Sequence, residues 1–245
     1  MSSDTPEITA GLAGGQGAVS SVRFFFAAHV ALLLAVLAGF SHTFYLRPLF
    51  SDRPLPAVLY LHGTVLTLWF LLTVLQGWLA LTQRFRLHRR TGYLAAGYAA
   101  LVVVLGLVAD LRLAAEIDSP KDPDNIVFWG NLFTLALFAT YVSLAVVFRK
   151  NQEAHKRLAL LASISIVGPA LARFADWSPG GFAARPLYGI GGLLLLYGSL
   201  VAYDLTSRRR PHPVSWIGAL AFVASLAAAA YLALSGKGFA ILHGA

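Results

Sequence analysis

Residues 57 to 82 read AVLYLHGTVLTLWFLLTVLQGWLALT, without one charged side chain. A helix rises about 1.5 Å per residue, so about 20 mostly apolar residues cross a bilayer's hydrocarbon core, and this run qualifies. Within it His62, Trp69 and Gln76 are spaced by seven, which sets all three on one helical face. Lipid does not solvate such groups, so that face must look into a bundle. Working outward, comparable runs fall at 24 to 45, 93 to 114, 126 to 148, 158 to 175, 187 to 205 and 214 to 235. The sequence therefore predicts an all-α integral membrane bundle of seven transmembrane helices. The first run is too long for a signal-peptide core and lacks a cleavage site, so it is expected to be retained.

Residues 1 to 22 are small and polar and are expected to form a disordered cytoplasmic tail. Residues 23 to 236 make the transmembrane domain, and 237 to 245 a short extracytoplasmic tail. The whole chain has 245 residues, 58% hydrophobic and 12% charged, far more apolar than soluble domains with roughly 25% charged residues. It contains no cysteine, which removes disulfides, thiolate nucleophiles and iron–sulfur clusters. The only methionine is Met1, so histidine is the strong transition-metal ligand left. A net charge of +8 does not signal nucleic acid here, because the cations sit in short loops between apolar runs.

Those loops set the orientation. Arg84, Arg86, Arg89 and Arg90 follow the second run, Arg149, Lys150, Lys156 and Arg157 the fourth, and Arg208 to Arg210 the sixth. With Arg23 they are 12 of the 19 Lys and Arg, which predicts a cytoplasmic N-terminus and an outward C-terminus in a bacterial cytoplasmic membrane. The alternate loops carry Asp52, Glu116, Asp118, Asp122, Asp124 and Asp176 with Pro-rich turns. Trp129 and Trp177 are expected in an outer aromatic belt, Trp78 and Trp216 in an inner one. Glycines at 97, 106, 189, 191, 192 and 198 are expected at close helix contacts, and Gly168-Pro169 is expected to kink the fifth span.

Polar residues in spans are the candidate site. His42, His62, Asp110, Arg112, Asn131, Arg173 and Asp176 lie within about two turns of the outer boundary, and the second and fourth spans are expected to line a common cavity there. Two readings are open for this layer. One is structural, with an Asp110–Arg173 ion pair between helices. The other is a cofactor site using His42, His62, Trp69, Gln76, Asn131 and Arg173, in which His42 and His62 ligate a metal ion or one haem b. His29 is out of register with His42 for a second haem, and Gln76 stands where a second histidine would be needed. At the inner boundary His88, Arg89, Arg90, His155, Lys156 and Arg157 are expected to contact anionic lipid headgroups or another anion. Leu87-His88-Arg89-Arg90 and Ala154-His155-Lys156-Arg157 open alternate spans alike, a short internal repeat.

The pair His62-Gly63, the run His88-Arg89-Arg90-Thr91-Gly92, the segment His155-Lys156-Arg157-Leu158-Ala159-Leu160-Leu161-Ala162 and the later Ala172-Arg173 resemble an uncharacterised bacterial multi-pass membrane-protein family with HG, HRRxG and HKRxxLLA signatures. The resemblance spans residues 57 to 174. It implies a polytopic helical fold and brings no settled activity. The expected function is redox or cofactor handling, with haem, a metal or a quinone. Its competitors are an accessory subunit of a larger membrane complex and a small proton-coupled transporter. A retinal protein is disfavoured because Lys237 lies beyond the last span. No phosphate loop, nucleophile elbow or HExxH helix is present.

Overall fold

A computed structural model of the chain describes residues 5 to 244, with side chains from residue 20 onward. Most of the tail expected over 1 to 22 thus lies outside the described side chains. The described residues are mostly helical, joined by short irregular turns, and contain no strand. The main helices are α1 (Thr5–Gly39), α2 (Ala57–Leu81), α3 (Phe85–Ala114), α4 (Pro123–Val147), α5 (Gln152–Ser165), α6 (Gly168–Ala172), α7 (Arg185–Arg208), α8 (Pro213–Leu234) and α9 (Lys237–His243). Six are long and apolar enough to cross a membrane, α1 through its Ser20–Gly39 part, and the count rises to seven if the bent pair of α5 with Gly168–Trp177 is taken as one broken span.

The fifth pass differs from the expected kinked helix. It breaks after Ser165, and the two halves meet at a 47° bend. Pro169 sits in the first turn of α6, where its missing N–H is not needed, so it starts a helix rather than distorting one. α1 likewise stops at Gly39 and passes into a π-helical turn, Ser41–Tyr45, that carries His42.

The helices α1, α2, α3, α4, α8 and α7 follow one another around α5, and α6 closes the ring between α1 and α7. α5 is the hub: nine of its 14 residues are buried, among them Leu158, Leu160, Leu161 and Ile164. Packing in a membrane depends on close contact, since lipid is as apolar as the helices. Gly39 meets the Ala170 carbonyl so closely that a methyl group would collide with it, and Gly192 sits against Leu171. α6 is clamped from both sides. Gly106, on Leu135, and Gly189, on Ala172, also serve packing, but Gly97, Gly191 and Gly198 face open space, contrary to the expectation for all six.

Two further expectations change. Trp78, Trp177 and Trp216 are 39%, 52% and 43% exposed, as an aromatic belt requires, but Trp129 is 7% exposed. Trp129 is covered from the C-terminal end, because Gly236 takes a left-handed turn (φ 74°) and folds α9 back over it. Where a short tail was expected, α9 forms and joins Ile117, Phe128 and Ala233 in a second apolar cluster.

Candidate functional site

The outer layer divides: His42, Arg173 and Asp176 share one neighbourhood through Thr43 and Trp177, while His62 and the Asp110–Asn131 pair have other partners. His62 Nδ1 lies 3.1 Å from the Leu105 carbonyl of α3, whereas the His42 ring stacks on Phe50 at 4.0 Å and lies 5.9 Å from Trp177. The two imidazoles answer to different neighbours and are not brought together. Asp110 accepts from Asn131 Nδ2 at 3.1 Å, and Arg173 donates to Thr43 Oγ1 at 3.1 Å and to the Pro169 carbonyl at 2.8 Å while lying 4.2 Å over the Phe40 ring. The Asp110–Arg173 pair is therefore not formed. Asp176 pairs instead with Arg185 at 2.7 Å.

The face of α2 carrying His62, Trp69 and Gln76 does look inward. Trp69 donates to Ser163 Oγ of α5 at 3.3 Å, and Gln76 reaches Thr91 Oγ1 of α3 at 2.6 Å. Deeper along α2, the Trp69 and Phe138 rings pack edge to face at 4.9 Å and join it to α4. Tyr141 turns to α8 and donates to the Gly218 carbonyl at 3.0 Å.

Convergence occurs at the basic end. The first turn of α5 sends three consecutive side chains to three neighbours. His155 Nδ1 meets the Ala145 carbonyl of α4 at 2.8 Å, Lys156 reaches Ser21 Oγ of α1 at 2.5 Å, and Arg157 turns to α7. Asn151 caps this turn by accepting from the Ala154 N–H at 3.1 Å. Arg157 is 1% exposed and Asp204 fully buried; the guanidinium donates to Asp204 through Nε, at 3.1 Å to Oδ1, and through Nη2. Asp204 Oδ2 also accepts from Ser215 Oγ at 2.6 Å and the His212 N–H at 3.0 Å, so α5, α7 and α8 share one carboxylate. Glu153 gathers Lys156, Arg157 and Arg208 at 2.5, 2.7 and 2.6 Å.

Arg157 and Lys156 were expected to contact lipid headgroups, but both are engaged by carboxylates of the chain itself, and Arg157 is out of reach. Asp204 was missed. Its signal was there, as an acid inside the apolar run 187 to 205, and an intramembrane acid requires a partner. His212 caps α8 by accepting from the Val214 N–H at 3.2 Å. Burial and the nearby Arg157 and Arg208 charges hold this imidazole below its usual value, so it caps as the neutral ring.

His88 and His155 come together at this end, with ring centres 6.2 Å apart and planes at 84°. His88 Nδ1 is 3.2 Å from the Gln76 carbonyl, 12 residues back across the turn, and His155 repeats the arrangement on Ala145, 10 residues back. A carbonyl only accepts, so His155 donates its Nδ1–H to Ala145, whereas the Gln76 amide, oriented to satisfy both of its ends, donates to His88 Nδ1 at 2.9 Å and accepts from Thr91 Oγ1 at 2.6 Å, which places the His88 proton on Nε2. The short sequence repeat thus has a structural content: each histidine ties the start of one helix to the end of its predecessor. Among the described residues no group of three or more His, Asp or Glu could enclose a metal ion. Comparison with protein-family models, with curated proteins and with solved structures gives no match.

Proposed function

We propose that the chain is a multi-pass protein of a bacterial cytoplasmic membrane, N-terminus inside and C-terminus outside, that handles a redox-active cofactor through His88 and His155. The observation that carries this is the juxtaposition of two half-buried imidazoles, from α3 and α5, with ring centres 6.2 Å apart, each held by the preceding helix, His155 by the Ala145 carbonyl and His88 by Gln76. A carbonyl-oriented imidazole such as His155 is the usual form of a ligating histidine. The outer pair, His42 and His62, lacks the first of these properties, so the site moves from the outer boundary to the basic end. A metal ion and a quinone both fit the chemistry of paired imidazole nitrogens. The proposed partners are anionic lipids at the exposed Arg84, Arg86, Arg89 and Arg90, and a larger membrane complex; nucleic acid is not among them.

The test is to purify the protein in mild detergent from cells with an intact cofactor supply, and to measure visible absorbance, metal content and extractable quinone. One of these is expected in stoichiometric amount and is lost in His88→Ala or His155→Ala. A colourless, metal-free and quinone-free protein sinks the reading. A proton-coupled carrier is the second reading, favoured by Asp110, which is 7% exposed on α3 with one amide for a partner. It requires Asp110→Asn to abolish proton uptake in vesicles, whereas the cofactor reading leaves uptake absent from the wild type.

A further inference from the structure

We propose that the groove between α6 and α7 holds one acyl chain of an anionic phospholipid, whose phosphate is met by Arg185 at the end of the bundle opposite the basic loops. The proposal is independent of the histidine pair. The groove has a volume of about 380 Å³. Leu171 and Phe174, from α6 and the 3₁₀ turn Arg173–Trp177 that follows it, face Tyr188, Leu195 and two glycines of α7. It opens outward, since Leu195 on its rim is 72% exposed. Gly192 packs on Leu171, but a methyl group at Gly191 would meet nothing within 4 Å, so the recess exists because residue 191 has no side chain.

Both walls belong to stretches apolar enough to lie in a bilayer. Water does not solvate them there, and an unfilled recess forfeits the dispersion contacts of its lining, so hydrocarbon fills it. From Arg185 to Leu195 α7 rises about 15 Å, half of a hydrocarbon core of about 30 Å. The groove is thus one leaflet deep, the reach of a single acyl chain entering from that end.

Charge decides the headgroup. Arg185, Tyr188, Gly192 and Leu195 are spaced by three, four and three, which sets the arginine on the groove face of α7, at the mouth. Its Nε and Nη2 donate to Asp176 at 2.9 and 2.7 Å, leaving Nη1 without a bond among the described residues. Arg173 is close enough to act on the same carboxylate, and its Nη2 is likewise unbonded among the described residues. Two guanidinium groups against one carboxylate leave the mouth positive, and guanidinium suits a phosphate. A zwitterionic headgroup would bring its own cation beside the two arginines, which favours the anionic class.

The experiment purifies the full chain in mild detergent, strips it of lipid, and titrates it with phosphatidylglycerol or with phosphatidylcholine of the same acyl chains, counting bound lipid by native mass spectrometry. One phosphatidylglycerol per chain is expected, held about fivefold more tightly than phosphatidylcholine, the worth of one basic residue beside an anionic lipid. Gly191→Leu fills the recess and is expected to abolish binding while the melting temperature of the lipid-free protein holds. Gly198→Leu, equally open in space but outside the groove, is expected to keep it. Should Gly191→Leu fail to fold, Gly191→Ala is expected to weaken binding in part. Arg185→Gln is expected to erase the headgroup preference and leave phosphatidylcholine binding in place, which loss of a merely structural ion pair would not do. Binding that is unaffected at Gly191, or equal for the two lipids in the unaltered chain, overturns the proposal. An unaltered chain that runs as a dimer, with Gly191→Leu a monomer, gives the groove to a second copy and overturns it as well.

Discussion

Arg157 and Asp204 carry the largest single-residue stake in the bundle. A buried pair of charges gains little over an apolar pair of the same shape, but breaking it strands one charge away from water. Asp204 accepts four donors and Arg157 also donates to the Glu153 carbonyl at 2.8 Å, so neither can be repartnered cheaply. Asp204→Ala or Arg157→Ala is expected to cost about 3–5 kcal/mol, seen as loss of the monodisperse peak or a much lower unfolding temperature in detergent. The double change Arg157→Met with Asp204→Leu is expected to recover most of the loss. His212 sets a milder pH dependence. Its folded value lies below that of the free side chain, so the stability it contributes is present above about pH 6.5 and is lost as pH falls through the unfolded and then the folded value. Thermal melts between pH 8 and pH 5 test this, and His212→Asn, which caps without titrating, is expected to flatten the pH slope.

Among the helices the turns hold the cheapest improvements and the clamps the least tolerance. Arg209 ends α7 in the left-handed region at φ 58°, a conformation that costs a side chain about 1–2 kcal/mol and that glycine takes freely. Arg209→Gly is therefore expected to raise the melting temperature modestly. Gly39→Val is expected to force α1 off α6 and lower it, because the colliding Ala170 carbonyl belongs to the main chain and cannot swing away. Element positions were largely legible, since apolar length and loop charge are local properties of the chain. The break in the fifth pass was half legible: Gly168-Pro169 marked the place, yet whether proline kinks a helix or begins one depends on the residues before it. Ile166, at φ −104° and ψ 3°, has already left the helix. The Asp110–Arg173 pairing failed for a different reason. Depth along a helix reads from sequence, but the direction a side chain faces depends on which helices are neighbours, and α5 as hub is not visible in any one segment.

For the molecule as a whole, the basic loops do gather at one end, tied by the Lys156–Ser21, Arg157–Asp204 and Arg208–Glu153 contacts. If that end faces the cytoplasm, a membrane-impermeant thiol reagent will label Ser119→Cys in intact cells and Arg210→Cys only after lysis. The absence of native cysteine makes the experiment clean. The reverse pattern would invert the bundle. Candidate residues at this end were legible as residue types, through the two His-cation tetrapeptides, but not as a pair, because His88 and His155 are 67 positions apart and meet only when α3 and α5 share an end. The hub also imposes an order on synthesis. Arg157 is made 47 residues before Asp204, so the ribosome delivers the central helix with Glu153 of its own first turn as the only carboxylate partner of that guanidinium. The Nε and Nη2 donors of Arg157 gain their acceptor only when α7 arrives, and the remaining oxygen of that acceptor is satisfied only with α8. A nascent chain stalled after α6 would hold Arg157 by one of its two carboxylates.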